Sequence, residues 1–125
     1  MGAVVVEDGA LLMVQRAHEP GQGKWSIPGG RVERGEYLSD ALRREVKEET
    51  NLDITVGDLL GIAEVTGDPH YVILDFEASL VGANQPVAAD DVAEVRWVPL
   101  DEVKSLDCTP RFIEFLKAWR VLADE

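Results

Sequence analysis

Apolar and polar residues fall into blocks along this chain, and the spacing within the blocks switches between strand-like and helix-like. Gly2 to Val6 and Leu11 to Arg16 are short apolar runs joined by Glu7-Asp8-Gly9, which predicts a hairpin. Residues 17 to 26, broken by Pro20, Gly21 and Gly23, predict a loop. At Pro28-Gly29-Gly30 two residues without side chains let backbone approach another group closely. From Leu38 to Thr50 the spacing turns helical, with Leu38, Ala41, Leu42 and Val46 on one stripe. Leu59 to Val65 and His70 to Leu80 predict strands around a turn at Gly67-Asp68-Pro69, and residues 82 to 91 a polar loop. Glu94 to Val98 predicts a short strand stopped by Pro99. Thr109 predicts an N-cap and Pro110 the first position of a last helix, running from Arg111 to about Leu122. Its apolar residues Phe112, Ile113, Phe115, Leu116 and Trp119 form a core face, or alternatively a partner surface. Strands then helix, twice over, predict an α/β domain with a mixed sheet between helices.

The first helix departs from its own pattern. Glu45 and Glu49 fall inside the apolar stripe and Glu48 at its edge, while Asp40, Arg43 and Lys47 take the opposite side. Acids spaced i, i+3 and i+4 sit side by side and repel. A run such as Arg43-Arg44-Glu45-Val46-Lys47-Glu48-Glu49 is ordinarily a solvated face, but that explanation puts these acids on the wrong side. Carboxylates aimed at the body of a protein carry a desolvation cost unless they are paired or bind a cation. Mg²⁺ answers that cost, because it takes carboxylate oxygens and shares itself with substrate phosphates. Mn²⁺ is the natural substitute. Glu45, Glu48 and Glu49 are therefore the candidate metal ligands.

The residues around these acids form a longer pattern. Gly30, Glu36, Arg44, Glu45, Val46, Glu48, Glu49 and Leu52 stand at the spacing of the Nudix box, and the chain resembles a Nudix hydrolase. Asn51 stands where that family has glycine. The position follows the helix, where a left-handed residue is expected and Asn is the best replacement. The resemblance extends from Trp25-Ser26-Ile27-Pro28-Gly29-Gly30 to the segment Val95 to Glu102. It implies an α/β/α sandwich of one domain over residues 1–125 and hydrolysis of a phosphoanhydride. It also implies Gly29 as a backbone-carbonyl ligand, Glu36 nearby to hold water or pair with Arg44, and Glu45 or a loop acid as base. Asp90, Asp91 and Glu94 precede Trp97, and Asp91 has the six-residue spacing of such a loop acid. Arg44 orients a catalytic carboxylate or forms a structural ion pair.

Substrate contacts are less defined. Arg16 reaches phosphate or lies on the surface, Lys24 is a weaker candidate, and Trp25 stacks on a base or packs under its loop, with packing favoured. Tyr71 and Phe76 lie on opposite faces of one strand, so at most one of them meets substrate. His70 is assigned a structural role. The resemblance places Pro69 one residue from a proline of ADP-ribose-cleaving relatives, and Tyr71 close to a tyrosine of dinucleoside polyphosphate hydrolases. An ADP-ribose-like sugar nucleotide is favoured; nucleoside triphosphates are the alternative, and a Nudix-like module that senses nucleotides without cleaving them is another.

Composition narrows the partners. A chain of 125 residues has room for one core. A net charge of −12 repels duplex nucleic acid and favours a small-molecule site screened by metal. No apolar run approaches the length of a membrane span, and the N-terminal sequence lacks a signal-peptide pattern. Cys108 stands alone, which fits a reducing cytoplasm and a packing role rather than a nucleophile. A homodimer is compatible with all of this.

Overall fold

The computed structural model describes residues 1–89 and 91–123. Strands β1 (Gly2–Glu7) and β2 (Ala10–Arg16) form the first hairpin, with Val6 opposite Leu11 and Glu7 opposite Ala10. Asp8 and Gly9 both have positive φ, 50° and 76°. That is the condition for a two-residue turn whose twist matches the strands. After the short β3 (Trp25–Ser26) come helix α1 (Leu38–Thr50), β4 (Asp53–Val65), β5 (Tyr71–Val81) and β6 (Val92–Pro99). A 3₁₀ turn at Leu100–Ser105 and helix α2 (Phe112–Ala118) follow.

The sheet is mixed. Parallel pairing joins β1 to β5, while β4 with β5, β2 with β3 and β2 with β6 are antiparallel. Both faces are covered, and successive residues of one strand serve different cores. Ala3, Val5 and Leu12 pack with Leu42 and Val46 of α1 and with Leu52 and Ile54. Val4, Leu11 and Met13 pack the other way, with Trp25, Val98, Val103, Phe112 and Leu116. Burial on both sides explains why β1 reads as a continuous apolar run rather than an alternation.

Several elements differ from their sequence expectations. Strand β4 starts at Asp53, not Leu59, because the chain carries pairing past Gly57 and Asp58 by register shifts on either side of Leu59. Two residues of the expected loop, Trp25 and Ser26, pair with Gln15 and Val14 as β3. The last helix is shorter than Arg111 to Leu122. Its N-cap is Arg111 at φ 65°, not Thr109; Pro110 therefore precedes the helix, and the Thr109 carbonyl receives the Phe112 N–H instead. Leu38 is largely exposed, whereas Ala41, Leu42 and Val46 are fully buried as their stripe predicts.

Asn51 closes α1 at φ 66°, and its N–H reaches the Lys47 carbonyl at 3.0 Å. Its side-chain amide also donates to the Gln85 carbonyl at 3.2 Å, tying loop 82–91 to the helix end. Glycine here relieves the left-handed backbone but loses that exposed tether. The two effects oppose each other, so Asn51→Gly is expected to shift stability by less than about 1 kcal/mol, read by thermal unfolding. Turnover should stay near wild type. A large loss of activity would show that the tether, and so the placement of loop 82–91, matters for function.

Candidate active site on the acidic helix

A turn ahead of α1 prepares Glu36. Its N–H reaches the Glu33 carbonyl at 3.1 Å, and its Oε1 accepts the Glu33 N–H at 2.9 Å. Arg44 reaches back from the helix and forks onto this carboxylate, with Nε to Oε2 and Nη2 to Oε1 both at 2.8 Å. Such planar, two-point pairing is specific to arginine. The Arg44 bonds, aided by the Glu33 N–H, hold the Glu36 carboxyl down to about 2. The same guanidinium donates to Glu45 Oε1 at 2.7 Å and to the Arg31 carbonyl at 3.1 Å, and lies 3.4 Å from both Glu48 oxygens. Glu33 is 3.8 Å away. One guanidinium thus serves four carboxylates, and the ordering of Glu36 and Glu45 is its doing.

Glu49 turns the other way. It is buried, and its Oε1 accepts the Gly29 N–H at 2.9 Å. The Pro28–Gly30 segment is stitched to the start of β1 through Ala3 N–H to Pro28 O and Gly30 N–H to Met1 O, each 3.0 Å. Both glycines are sterically required. A Cβ on Gly30 would run into the Glu45 carboxylate and one on Gly29 into the Met1 carbonyl. The helix acids and the glycine segment therefore meet along one seam.

The helical phase read from sequence holds: Glu49 is buried, Glu45 has 17% of its side-chain surface exposed and Glu48 45%. Among the described residues, no group of three or more acid, histidine or cysteine side chains closes around a single point. Arg44 draws Glu45 and Glu48, while Glu49 is held at Gly29. The donor set still fits a hard divalent cation, because carboxylate oxygens from three helix positions lie beside a backbone segment reached by one of them.

Other candidate residues are placed as follows. Asp91 is exposed and its carbonyl accepts the Ala17 N–H at 3.0 Å, while the neighbouring Ala89 N–H reaches the Glu49 carbonyl at 3.3 Å. Residues 87–89 are thus laid on the last turn of α1. Asp90 lies outside the described residues. Arg16 donates from Nε to the Pro20 carbonyl at 2.7 Å, bracing its own loop, and Lys24 pairs with Asp107 at 2.8 Å. Neither is bonded to the helix acids. Trp25 is only 5% exposed and belongs to the core, with the Arg96 guanidinium 4.8 Å above its ring. His70 pairs with Glu64 at the tip of the β4–β5 hairpin. The partly buried Cys108 has its thiol pushed up by burial, away from reactivity. One polar residue was passed over in the sequence: Asp75, buried in the middle of β5. An acid interrupting Val72-Ile73-Leu74 and Phe76 was its available signal.

Fold and site together define a class: an α/β/α sandwich whose acid-bearing helix is braced by an Arg–Glu fork against a glycine segment. The chain belongs to the NUDIX domain family, whose model matches residues 1–119. It is 33% identical over 106 residues to an ADP-ribose pyrophosphatase of Methanocaldococcus jannaschii, covering 82% of this chain and 62% of that protein. It is 34% identical over 96 residues to the human 8-oxo-dGDP phosphatase NUDT18, covering 74% of this chain and 29% of that protein. The chain therefore spans less than two thirds of either relative. A crystal structure of a MutT NUDIX hydrolase from Burkholderia pseudomallei shares the fold, with a TM-score of 0.78 at 26% identity over 93% of this chain and 92% of that one. Among the described residues, no helix is long and apolar enough to cross a membrane.

Proposed function

We propose that this domain hydrolyses the phosphoanhydride bond of a nucleoside diphosphate linked to another moiety, with an ADP-ribose-like sugar nucleotide as the favoured substrate and Mg²⁺ as cofactor. The observation that carries this reading is the gathering of Glu36, Glu45 and Glu48 on Arg44, beside the Gly29–Glu49 contact. The similarity to an ADP-ribose pyrophosphatase supports the substrate choice. Similarity to an 8-oxo-dGDP phosphatase supports a second reading, in which the substrate is a nucleoside di- or triphosphate. A reducing cytoplasm suits the lone Cys108.

Glu45, Glu48, Glu49 and the Gly29 carbonyl would hold the ion. When bound, a divalent cation supplies neutralisation of phosphate oxygens and a lowered pKa for the attacking water. Glu36 fixes Arg44, and Arg44 fixes Glu45. Glu45 or Asp91 takes the proton from water; the two remain alternatives. Arg16 and Lys24 would have to leave Pro20 and Asp107 to reach a phosphate.

A panel of nucleotides with Mg²⁺ or Mn²⁺, its products separated by chromatography, tests the reading. ADP-ribose should give AMP and ribose 5-phosphate; a triphosphate cleaved instead would give the monophosphate and pyrophosphate. Turnover should vanish in excess chelator and return with either cation. Robust turnover in chelator would sink the metal assignment, and tight binding without any product would leave a sensor.

A further inference from the structure

We propose that the guanidinium groups of Arg31 and Arg34 bind the diphosphate of the substrate at the rim of the acids of α1. The inference rests on the nucleotide-hydrolase reading above and assigns its phosphate contacts. The chain holds 24 acidic side chains against 12 basic ones. Acids are plentiful enough to pair every base, and most bases are paired or hydrogen-bonded. Among the described residues, only the basic side chains of Arg31, Arg34, Lys117 and Arg120 have neither an ion pair nor a hydrogen bond. Lys117 and Arg120 lie at the end of α2, which packs on the opposite side of the sheet from α1. Arg31 and Arg34 lie on the loop that joins the glycine segment to Glu36.

That loop is held through its backbone and left free in its arginine side chains. The Gly30 N–H reaches the Met1 carbonyl at 3.0 Å, and the Arg31 carbonyl accepts from Arg44 Nη2 at 3.1 Å. The turn that follows is closed by two bonds between Glu33 and Glu36, at 3.1 and 2.9 Å, with Gly35 at φ 87°. Both arginines are exposed. The Arg31 side chain therefore branches next to the Arg44–Glu45 pair, and it is long enough to extend over that pair. A fixed backbone carrying unengaged cations is an arrangement prepared for a ligand rather than for the fold.

Charge balance supplies the reason for cations at this place. Arg44 is shared by Glu33, Glu36, Glu45 and Glu48, and Glu49 stands beside them at Gly29. A single bound divalent cation leaves that group of acids negative. A diphosphate approaching it is repelled, in a chain whose net charge is already −12. Two unpaired guanidinium groups at the rim offset this repulsion and present the planar forks that suit phosphate oxygens. The other candidates are engaged, Arg16 with the Pro20 carbonyl and Lys24 with Asp107. Arg31 and Arg34 break no bond of the fold when they turn to a ligand.

The probe is α,β-methylene-ADP, a nucleoside diphosphate whose bridging carbon resists cleavage. Calorimetry with Mg²⁺ measures its binding at low and at high salt, and thermal unfolding follows each variant. Arg31→Gln should weaken binding about tenfold or more and Arg34→Gln about threefold, because charge-assisted bonds to phosphate are lost. The double variant should also show a flatter dependence on salt. Arg31→Lys should keep the salt dependence of wild type but not its affinity, since the charge stays and the fork goes. Melting temperatures should stay within about two degrees of wild type, because neither side chain is bonded to the fold. Arg120→Gln, the control from α2, should change neither affinity nor salt dependence. A double variant that binds as wild type does overturns the proposal. So does an equal loss in Arg120→Gln, which would reduce the effect to net charge, or a loss of affinity matched by a fall in melting temperature. If wild type and the double variant cleave ADP-ribose with the same KM, only the arginines lose their role. A wild type that neither binds the probe nor cleaves any nucleotide removes the hydrolase reading as well.

Discussion

Glu49→Gln is expected to lower turnover by about 10²- to 10⁴-fold while leaving the domain folded, the scale of other electrostatic or acid–base deletions. The substitution is close to isosteric. Glutamine presents the same Oε1 to the Gly29 N–H, so the 2.9 Å bond that ties α1 to the glycine segment can persist. What disappears is the charge, and with it one of the oxygen donors that a hard cation favours. Lys47→Gln is the control from the opposite face of the same helix. Lys47 lies 3.3 Å from Asp53 in an exposed pair, worth at most about 1 kcal/mol, and should leave turnover and melting temperature nearly unchanged. Steady-state rates with thermal unfolding decide the matter. If the two variants behave alike, the helical-phase argument fails and the acids are only a charged surface.

Gly30→Ala is expected to damage turnover more than the fold. The added methyl would overlap the Glu45 carboxylate and stand 2.9 Å from its Cγ. A flexible side chain can move aside, so the melting temperature should fall by no more than a few degrees. Moving aside, however, takes Glu45 from Arg44, where it accepts a 2.7 Å bond. Misplacing a reacting group by about 1 Å costs on the order of 10²-fold. Gly29→Ala is the informative contrast. Its methyl meets the Met1 carbonyl and stands 2.8 Å from the Gly2 Cα, and backbone in a paired segment yields less readily. Overpacking of that kind costs about 1–3 kcal/mol, so Gly29→Ala should show a larger drop in melting temperature. Equal effects of both variants on melting, with turnover intact in Gly30→Ala, would detach Glu45 from the chemistry.

How much of the site was legible depends on whether its parts are close in sequence. The acids of α1 could be read directly, because 3.6 residues per turn converts spacing into facing, and the structure keeps Glu49 buried and Lys47 exposed as that phase requires. The left-handed end at Asn51 was readable for the same local reason. The Arg44–Glu36 fork was expected only as one of two roles for Glu36, since it joins a helix residue to a turn eight positions earlier. Trp25 illustrates the opposite case. Its loop setting favoured packing over base stacking without saying against what, and the arrival of Met13, Val98 and Phe112 around it supplies the core.

By itself, the sequence determined the first hairpin, the span of α1, the face its acids occupy and the family to which the chain belongs. Each of these depends on local backbone preference or on fixed spacing, which chain order alone specifies. Tertiary structure decided the rest. Strand β4 runs through Gly57 and Asp58 because β5 supplies a partner across the register shifts, and α2 is short because Arg111 before its start and Arg120 after its end both take positive φ. The surroundings of Asp75 were decided in the same way. In sequence it is one acid in an apolar strand; in the sheet it stands between Gly61 and Gly2, residues fourteen positions before it and near the start of the chain. Pairing of distant strands brings such residues onto one rung, and no local periodicity carries that information.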